Sequence, residues 1–352
     1  MRTLLLALLC TLAAQAQGGN RDKDWNRKAA ADYLDGRMAW WDTWPYAARD
    51  HGTFCTSCHT TVSYALGRPA LRSSLGESAP SVNERTVLDN ITKRVSRWND
   101  MLPFYNEKNG PNSAVESRNT EAVLNALVLT RYQSAAASDA LRYMWALQLK
   151  DGDKRGSWIW LNFHNEPWEA DDSAFWGAAL AGLAAGMAPE ESRKAAQENI
   201  ALLAGYLQRE QASQSTLHRA VALWAAGRLP ALLKLEQREA IVAEIVSKQR
   251  EDGGWSESAL VVKDWKRRDG TPMDTESDGY GTGLMVVALK NSGIASGATA
   301  AEKGIAWLQR HQDPSGAWLA TSMNKKRDPA SDAGRFMSDA ATAYSVLALS
   351  AR

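Results

Sequence analysis

Apolar positions along this chain recur at helical rather than strand spacing, and period-2 alternation is scarce. The pattern predicts helices over 29–41, 60–71, 86–102, 122–132, 138–149, 173–185, 189–208, 215–226, 235–248, 279–291, 299–310 and 339–349. Pro and Gly fall at nearly every joint between them, as helix boundaries require. The helices pair, and the two members of a pair differ in character. The second is apolar nearly all round, as in Ala178-Ala179-Leu180-Ala181-Gly182-Leu183 and Leu284-Met285-Val286-Val287-Ala288-Leu289. Such a helix is buried on every side. The first carries more charge, as in Glu190-Glu191-Ser192-Arg193-Lys194 and Glu236-Gln237-Arg238-Glu239, and faces water.

A longer period overlies this alternation. Gly156-Ser157-Trp158, Gly253-Gly254-Trp255 and Gly316-Ala317-Trp318 each follow a helix ending in glutamine: Gln148, Gln249, and Gln309 with Gln312. Each is followed by acids that open an apolar helix: Asp171-Asp172, Asp278 and Asp339. Self-similarity at roughly 50 residues per unit marks a helical repeat array. About six helix pairs predict an all-α fold, an α/α toroid with the apolar helices inside. Every inner helix then starts at the same end. Cys55, Cys58, His59, Arg118, Asn119, Asp171, Asp172, His218, Asp278 and Asp339 are therefore expected around one mouth.

The run Lys303-Gly304-Ile305-Ala306-Trp307-Leu308-Gln309-Arg310-His311-Gln312, followed by Gly316-Ala317-Trp318, resembles the QW repeat of the squalene-hopene cyclase family. Gln148 with Trp158 and Gln249 with Trp255 are looser copies, and the resemblance covers about residues 85–352. It implies a toroid in which the glutamine and tryptophan tie an outer helix to the turn after it. Family members usually enclose a hydrophobic cavity between two toroids, whereas this length accommodates one. The family's acid signature, Asp-x-Asp-Asp before Thr/Ser-Ala, has its counterpart in Glu169-Ala170-Asp171-Asp172-Ser173-Ala174, with Glu replacing the first Asp. By resemblance, Asp171 is the general acid that protonates an alkene or epoxide of an isoprenoid, with Glu169 and Asp172 as neighbours. Clustered carboxylates do not all ionise, so one keeps its proton. A simpler reading covers the equivalent acids Asp278 and Asp339 as well: an acid before or within the first helical turn caps free N–H groups and suits the helix dipole.

Cys55-Thr56-Ser57-Cys58-His59 is the most specific chemical motif. C-x-x-C-H is the spacing of a haem c attachment site, with two thioethers one helical turn apart and the adjacent histidine on iron. A Cys55–Cys58 disulfide suits an oxidising compartment, and zinc is a third occupant if about four ligands converge. The toroidal prenyltransferases hold zinc at such a mouth, with different spacing. His218, at an inner-helix start, is a second candidate metal ligand beside His59.

Composition narrows the function. Lys+Arg 41 against Asp+Glu 40 leaves no electrostatic footprint for nucleic acid. The 15 Trp outnumber the 5 Phe and serve either as structural residues of the repeat or as platforms for a hydrophobic ligand. Residues 1–16 read as a secretory signal peptide: Arg2, an apolar run from Leu4 to Ala14, and the A-x-A site Ala14-Gln15-Ala16. The mature chain, 17–352, then contains the C-x-x-C-H unit over 20–80 and the repeats over 85–352. No segment is long enough to cross a membrane. The expected product is exported, periplasmic or secreted. Three readings follow: a haem c-bearing redox protein with a redox partner or a hydrophobic, isoprenoid-like molecule; a terpene cyclase or isomerase using Glu169, Asp171, Asp172 and Asp278; or a non-catalytic lipid or glycan scaffold.

Overall fold

The alternation of charged and apolar helices becomes two concentric rings in the computed structural model, which describes residues 25–350. The signal-peptide expectation for 1–16 lies outside those residues. In chain order the principal helices are α1 (Arg27–Thr43), α2 (Ser63–Gly67), α3 (Val82–Ser96), α4 (Ser113–Arg131), α5 (Ala137–Ala146) and α6 (Ser173–Met187). They continue with α7 (Gln197–Glu210), α8 (Thr216–Arg228), α9 (Leu235–Ser247), α10 (Gly279–Asn291), α11 (Ala298–Arg310) and α12 (Phe336–Ser350). The even-numbered helices pack side by side in the order α2, α4, α6, α8, α10, α12 and back to α2. The odd-numbered helices surround them. This is an all-α toroid.

Burial follows the sequence pattern. Every residue of α6 from Ser173 to Ala185 is buried, as is every residue of α10 from Gly279 to Leu289. Outer helices bury one stripe only; α11 covers Ala300, Ala301, Gly304, Trp307 and Leu308 and leaves its charged side to water. Each fully buried Leu, Val or Met contributes about 1.5–3 kcal/mol, so the inner ring carries most of the stability.

The repeated glutamine and tryptophan join the rings by one set of bonds. Trp158 Nε1 donates to Met144 O at 2.7 Å, Trp255 Nε1 to Ile245 O at 2.8 Å and Trp318 Nε1 to Leu308 O at 2.8 Å. In each case the indole adds a second bond to a carbonyl in the last turn of an outer helix, one that already accepts from the cap N–H three residues on. Gln148 Nε2 donates to Gly156 O at 3.0 Å and to Asn199 O at 2.9 Å. Gln249 does the same to Gly253 O and Ala300 O, both at 2.8 Å, and Gln312 to Gly316 O and Asn26 O, both at 3.0 Å. Each glutamine thus ties one outer helix to its own turn and to the start of the next. The last of them closes the ring onto α1, where Asn26 N also donates to Gln312 Oε1 at 2.7 Å. Gly156 and Gly316 sit at φ 98° and 92°, and a Cβ on either would overlap a carbonyl of the following outer helix, Leu202 or Ala29. Glycine is required there on both counts.

Several boundaries depart from the sequence expectation. The helix expected over 60–71 is a composite: a π turn at Cys58–Val62, α2, and a 3-10 turn at Arg68–Leu71. Pro69 cannot donate to the carbonyl four residues back, so the run tightens there. The third helix starts at Val82 rather than 86, because Ser81 and Glu84 form a capping box. The fourth starts at Ser113 rather than 122, so Arg118 and Asn119 lie inside α4 and not at its opening. Its first turns are polar yet packed, with Ser117 buried against the Tyr105 backbone, and an apolar pattern does not reveal them. The span 189–208 breaks at Ala196 into Glu190–Ala195 and α7.

Candidate functional site

The segments that lead into the inner helices meet at one end of the toroid. The first is a short hairpin, β1 (Ala48–Arg49) antiparallel to β2 (Thr53–Phe54), with Ala48 opposite Phe54. Cys55 N continues the pairing with a 2.8 Å bond to Ala47 O, and Trp41 Nε1 fixes the Cys55 carbonyl at 2.8 Å. Ser57 then caps the next turn, its hydroxyl accepting from Thr60 N at 3.3 Å and Thr61 N at 3.1 Å. Cys58 and His59 therefore occupy a first helical turn whose position is held from both sides. Both cysteines are free thiols, Cys55 buried and Cys58 half-buried.

His59 is set by a relay behind it. Thr60 Oγ1 donates to Asp339 Oδ2 at 2.7 Å and lies 2.8 Å from His59 Nδ1. Having given its proton to a carboxylate, the hydroxyl accepts from the imidazole, so Nδ1 carries the hydrogen and Nε2 is bare. Asp339, 1 % exposed, is held in turn by Arg37 Nε at 2.7 Å and Tyr33 Oη at 3.0 Å. Burial, with the charges of Arg37 and Arg327, pushes the His59 pKa down to about 3, so the ring is neutral. Its face stacks on Phe336 at 3.9 Å between centroids, with Trp41 edge-on at 4.9 Å.

In front of His59 lies a cavity of about 530 Å³, walled by Trp41, Trp44, Phe104, Tyr105, Trp168 and Phe336. Arg49 and Arg327 supply cations and Glu166 and Glu169 supply carboxyls at its wall. Burial raises Glu169 to about 7. Burial also raises both thiols, Cys55 to about 11 and Cys58 well above its ordinary value, and the Glu169 charge adds to each. The thiols are therefore protonated at neutral pH.

A second group sits behind the Glu166–Trp168 stretch. His218, fully buried on α8, has Nε2 2.8 Å from Pro167 O, and its Nδ1 faces Asp172 Oδ2 at 3.4 Å. One ligating atom each of Glu166, Asp172 and His218 lies within 4.8 Å of the other two. Burial raises Glu166 to about 7, while Asp172 falls below its ordinary range because the His218 interaction outweighs burial.

The candidate residues thus divide among several places. His59 and Glu169 line the aromatic cavity, and Cys55 and Cys58 lie close enough to Glu169 for its charge to raise their thiols. Asp172 and His218 face each other at 3.4 Å and do not line the cavity. Asp171 is exposed on the surface, its carboxylate taken by His164 Nδ1 and Asn162 Nδ2, both at 2.8 Å. Asp278 is the N-cap of α10, accepting from Gly281 N at 2.8 Å and Glu257 N at 2.5 Å. Arg118, a helical turn inside α4, donates to Met101 O and covers the Trp98 ring. Sequence reasoning gave no role to Glu166, Thr60, Arg37 or Trp168. The loop residues carry no periodic signal, and the Arg37–Asp339 pair joins positions about 300 residues apart.

Residues 234–336 match the family model of the squalene-hopene cyclase C-terminal domain. The match spans α9 to the start of α12 and includes two of the three glutamine–tryptophan units. No curated protein sequence matches the chain. Among solved structures, a protein from Actinoplanes superposes with a TM-score of 0.50 at 14% identity, covering 92% of this chain and 98% of that one. The unsaturated glucuronyl hydrolase of Bacillus sp. GL1 gives a TM-score of 0.50 at 11% identity, covering 91% and 94%. At such identities these likenesses establish the toroid fold alone. No helix among the described residues is long and apolar enough to cross a membrane.

Proposed function

We propose that this is an exported haem c protein that carries the group in its toroid mouth and exchanges electrons with a redox partner or a hydrophobic, isoprenoid-like molecule. The observation that carries this reading is the relay behind His59. It fixes a neutral ring with Nδ1 protonated and Nε2 bare, the form in which an imidazole binds iron. Two free thiols precede His59 in C-x-x-C-H order, on the segment that carries it to the cavity. The donor set therefore fits: Cys55 and Cys58 would hold the macrocycle through thioethers, and His59 would be its axial ligand. A haem there supplies one-electron chemistry. The chain itself excludes water with Trp41, Trp44, Trp168 and Phe336, and offers Arg49 and Arg327 to the group's carboxylates. Produced with its leader in a host that attaches haem c, the protein is expected to show a Soret band that survives acidic solvent extraction. The Cys55→Ala/Cys58→Ala variant loses the extraction-resistant haem, His59→Ala keeps it with a shifted spectrum, and Asp171→Asn leaves the spectrum unchanged. An exported protein that is colourless and runs with an intact Cys55–Cys58 disulfide overturns the reading.

Glu169 favours a second reading, acid-initiated isomerisation or cyclisation of an isoprenoid. It is a carboxyl with a pKa of about 7 in an aromatic wall, and so is protonated in a substantial fraction of molecules at neutral pH. This reading shifts the family's acid role from Asp171 to Glu169. Glu169→Gln abolishes turnover of an isoprenoid alkene or epoxide if it holds, and Asp171→Asn does not.

A further inference from the structure

We infer that Glu166, Asp172 and His218 form a binding site for one divalent transition-metal cation, zinc being the best fit, separate from the C-x-x-C-H motif. Three buried atoms without a hydrogen-bond partner point to it: Glu166 Oε2, Asp172 Oδ2 and His218 Nδ1. Each belongs to one of the residues whose ligating atoms cluster within 4.8 Å. Glu166 is 2 % exposed and His218 0 %, so water does not satisfy them from outside. A buried polar atom left unpaired costs about 1–3 kcal/mol, more if charged. Here three are left in one place.

The tautomer of His218 sharpens the case. Nε2 lies 2.8 Å from the Pro167 carbonyl, which can only accept, so Nε2 carries the hydrogen. Asp172 favours a protonated ring here, whereas in the neutral ring Nδ1 is a bare lone pair facing a carboxylate oxygen 3.4 Å away. Two lone pairs repel unless a proton or a cation lies between them. A shared proton draws such atoms to about 2.7–2.9 Å. A tetrahedral zinc at about 2.0–2.2 Å from each holds them about 3.4 Å apart. The 3.4 Å separation is longer than a shared-proton contact and leaves room for the cation. The carbonyl on the opposite ring nitrogen is the outer contact that orients metal-bound histidines.

The donor set selects the metal class. One imidazole and two carboxylates suit zinc, and manganese or iron less specifically, while calcium and magnesium take oxygen alone. Three protein ligands leave a fourth position open, as in catalytic rather than closed structural zinc sites. Glu166 also lines the His59 cavity, so a cation here sits at the back of the cavity wall.

The test is a zinc titration of the full exported protein after chelator treatment, followed by calorimetry and elemental analysis. Cys55→Ser/Cys58→Ser is run alongside, because those thiols are the rival zinc ligands and their loss also separates this result from the haem proposal. One equivalent is expected in the wild type and in the cysteine variant. The near-isosteric Glu166→Gln and Asp172→Asn, and His218→Gln, are expected to weaken binding by at least about tenfold. Zinc should raise the melting temperature of the wild type and not of these variants, which separates a lost site from a misfolded chain. Uptake that disappears only with the cysteines overturns the site. So does equal uptake by the wild type, Glu166→Gln and Asp172→Asn, or no uptake at all by the wild type.

Discussion

Thr60 decides the state of the His59 ring from behind, because its one hydroxyl proton is committed to Asp339. The acceptor that remains pulls on Nδ1–H and makes Nε2 a better donor to iron. In the haem-loaded protein Thr60→Val is therefore expected to raise the midpoint potential while leaving covalent attachment intact; an unchanged potential contradicts the relay. Asp339 has a structural charge as well, since Arg37 is only 5 % exposed. Asp339→Ala leaves that guanidinium held by Asp332 alone, with its Nε unpaired, and is expected to cost about 1–3 kcal/mol in urea unfolding. Glu169 adds a pH signature. Its folded pKa of about 7 exceeds the ordinary carboxyl value of 4.5, so between those pH values the folded chain binds the extra proton. The stability tied to that proton is complete at the acid end and is lost as pH rises through 7. Glu169→Gln should flatten the wild-type decline between pH 5 and 8, and a curve parallel to wild type would show that the carboxyl is ionised throughout.

At the scale of elements, the glutamine–tryptophan units perform the same task three times, and their tests follow from it. Trp255→Phe keeps the ring but removes the indole bond to the Ile245 carbonyl at the end of α9, which retains only the Lys248 N–H, an expected loss of about 0.5–1.5 kcal/mol. Gly316→Ala forces a side chain into the Ala29 backbone at φ 92° and should cost about 2 kcal/mol or more by thermal unfolding. These units were legible in the sequence because they recur; the resemblance to the QW repeat implied the tie between helix and turn. Each glutamine also reaches the next outer helix, which no local pattern encodes. The Ser81–Glu84 capping box was overlooked although its spacing was visible, and the polar start of α4 had no apolar period to reveal it.

For the whole molecule, the alternation of apolar and charged helices was enough to predict a toroid with its inner helices beginning at one end. Which residues face the same cavity was not. Asp171 and Asp172 are adjacent in sequence, yet one is exposed against His164 and the other turns inward to His218. Only the path of the 162–172 loop separates them. Ring closure is likewise a property of the whole chain. Gln312 joins the sixth outer helix to Asn26, about 290 residues away. Gln312→Ala is expected to speed hydrogen exchange in the first turns of α1 by about tenfold, and to leave α5 and α9 unchanged. Uniform acceleration throughout the molecule would show that the ring is not held at that seam.

Covalent attachment of haem at Cys55 and Cys58, beside His59, is tested by peptide mass spectrometry. Protein exported from a host that attaches haem c is digested without reduction, and the peptide spanning residues 50–68 is weighed. The account predicts a peptide heavier by one haem, with both thiols consumed and no free form of comparable abundance. A peptide lighter by two hydrogens, with a Cys55–Cys58 disulfide and no haem, contradicts it.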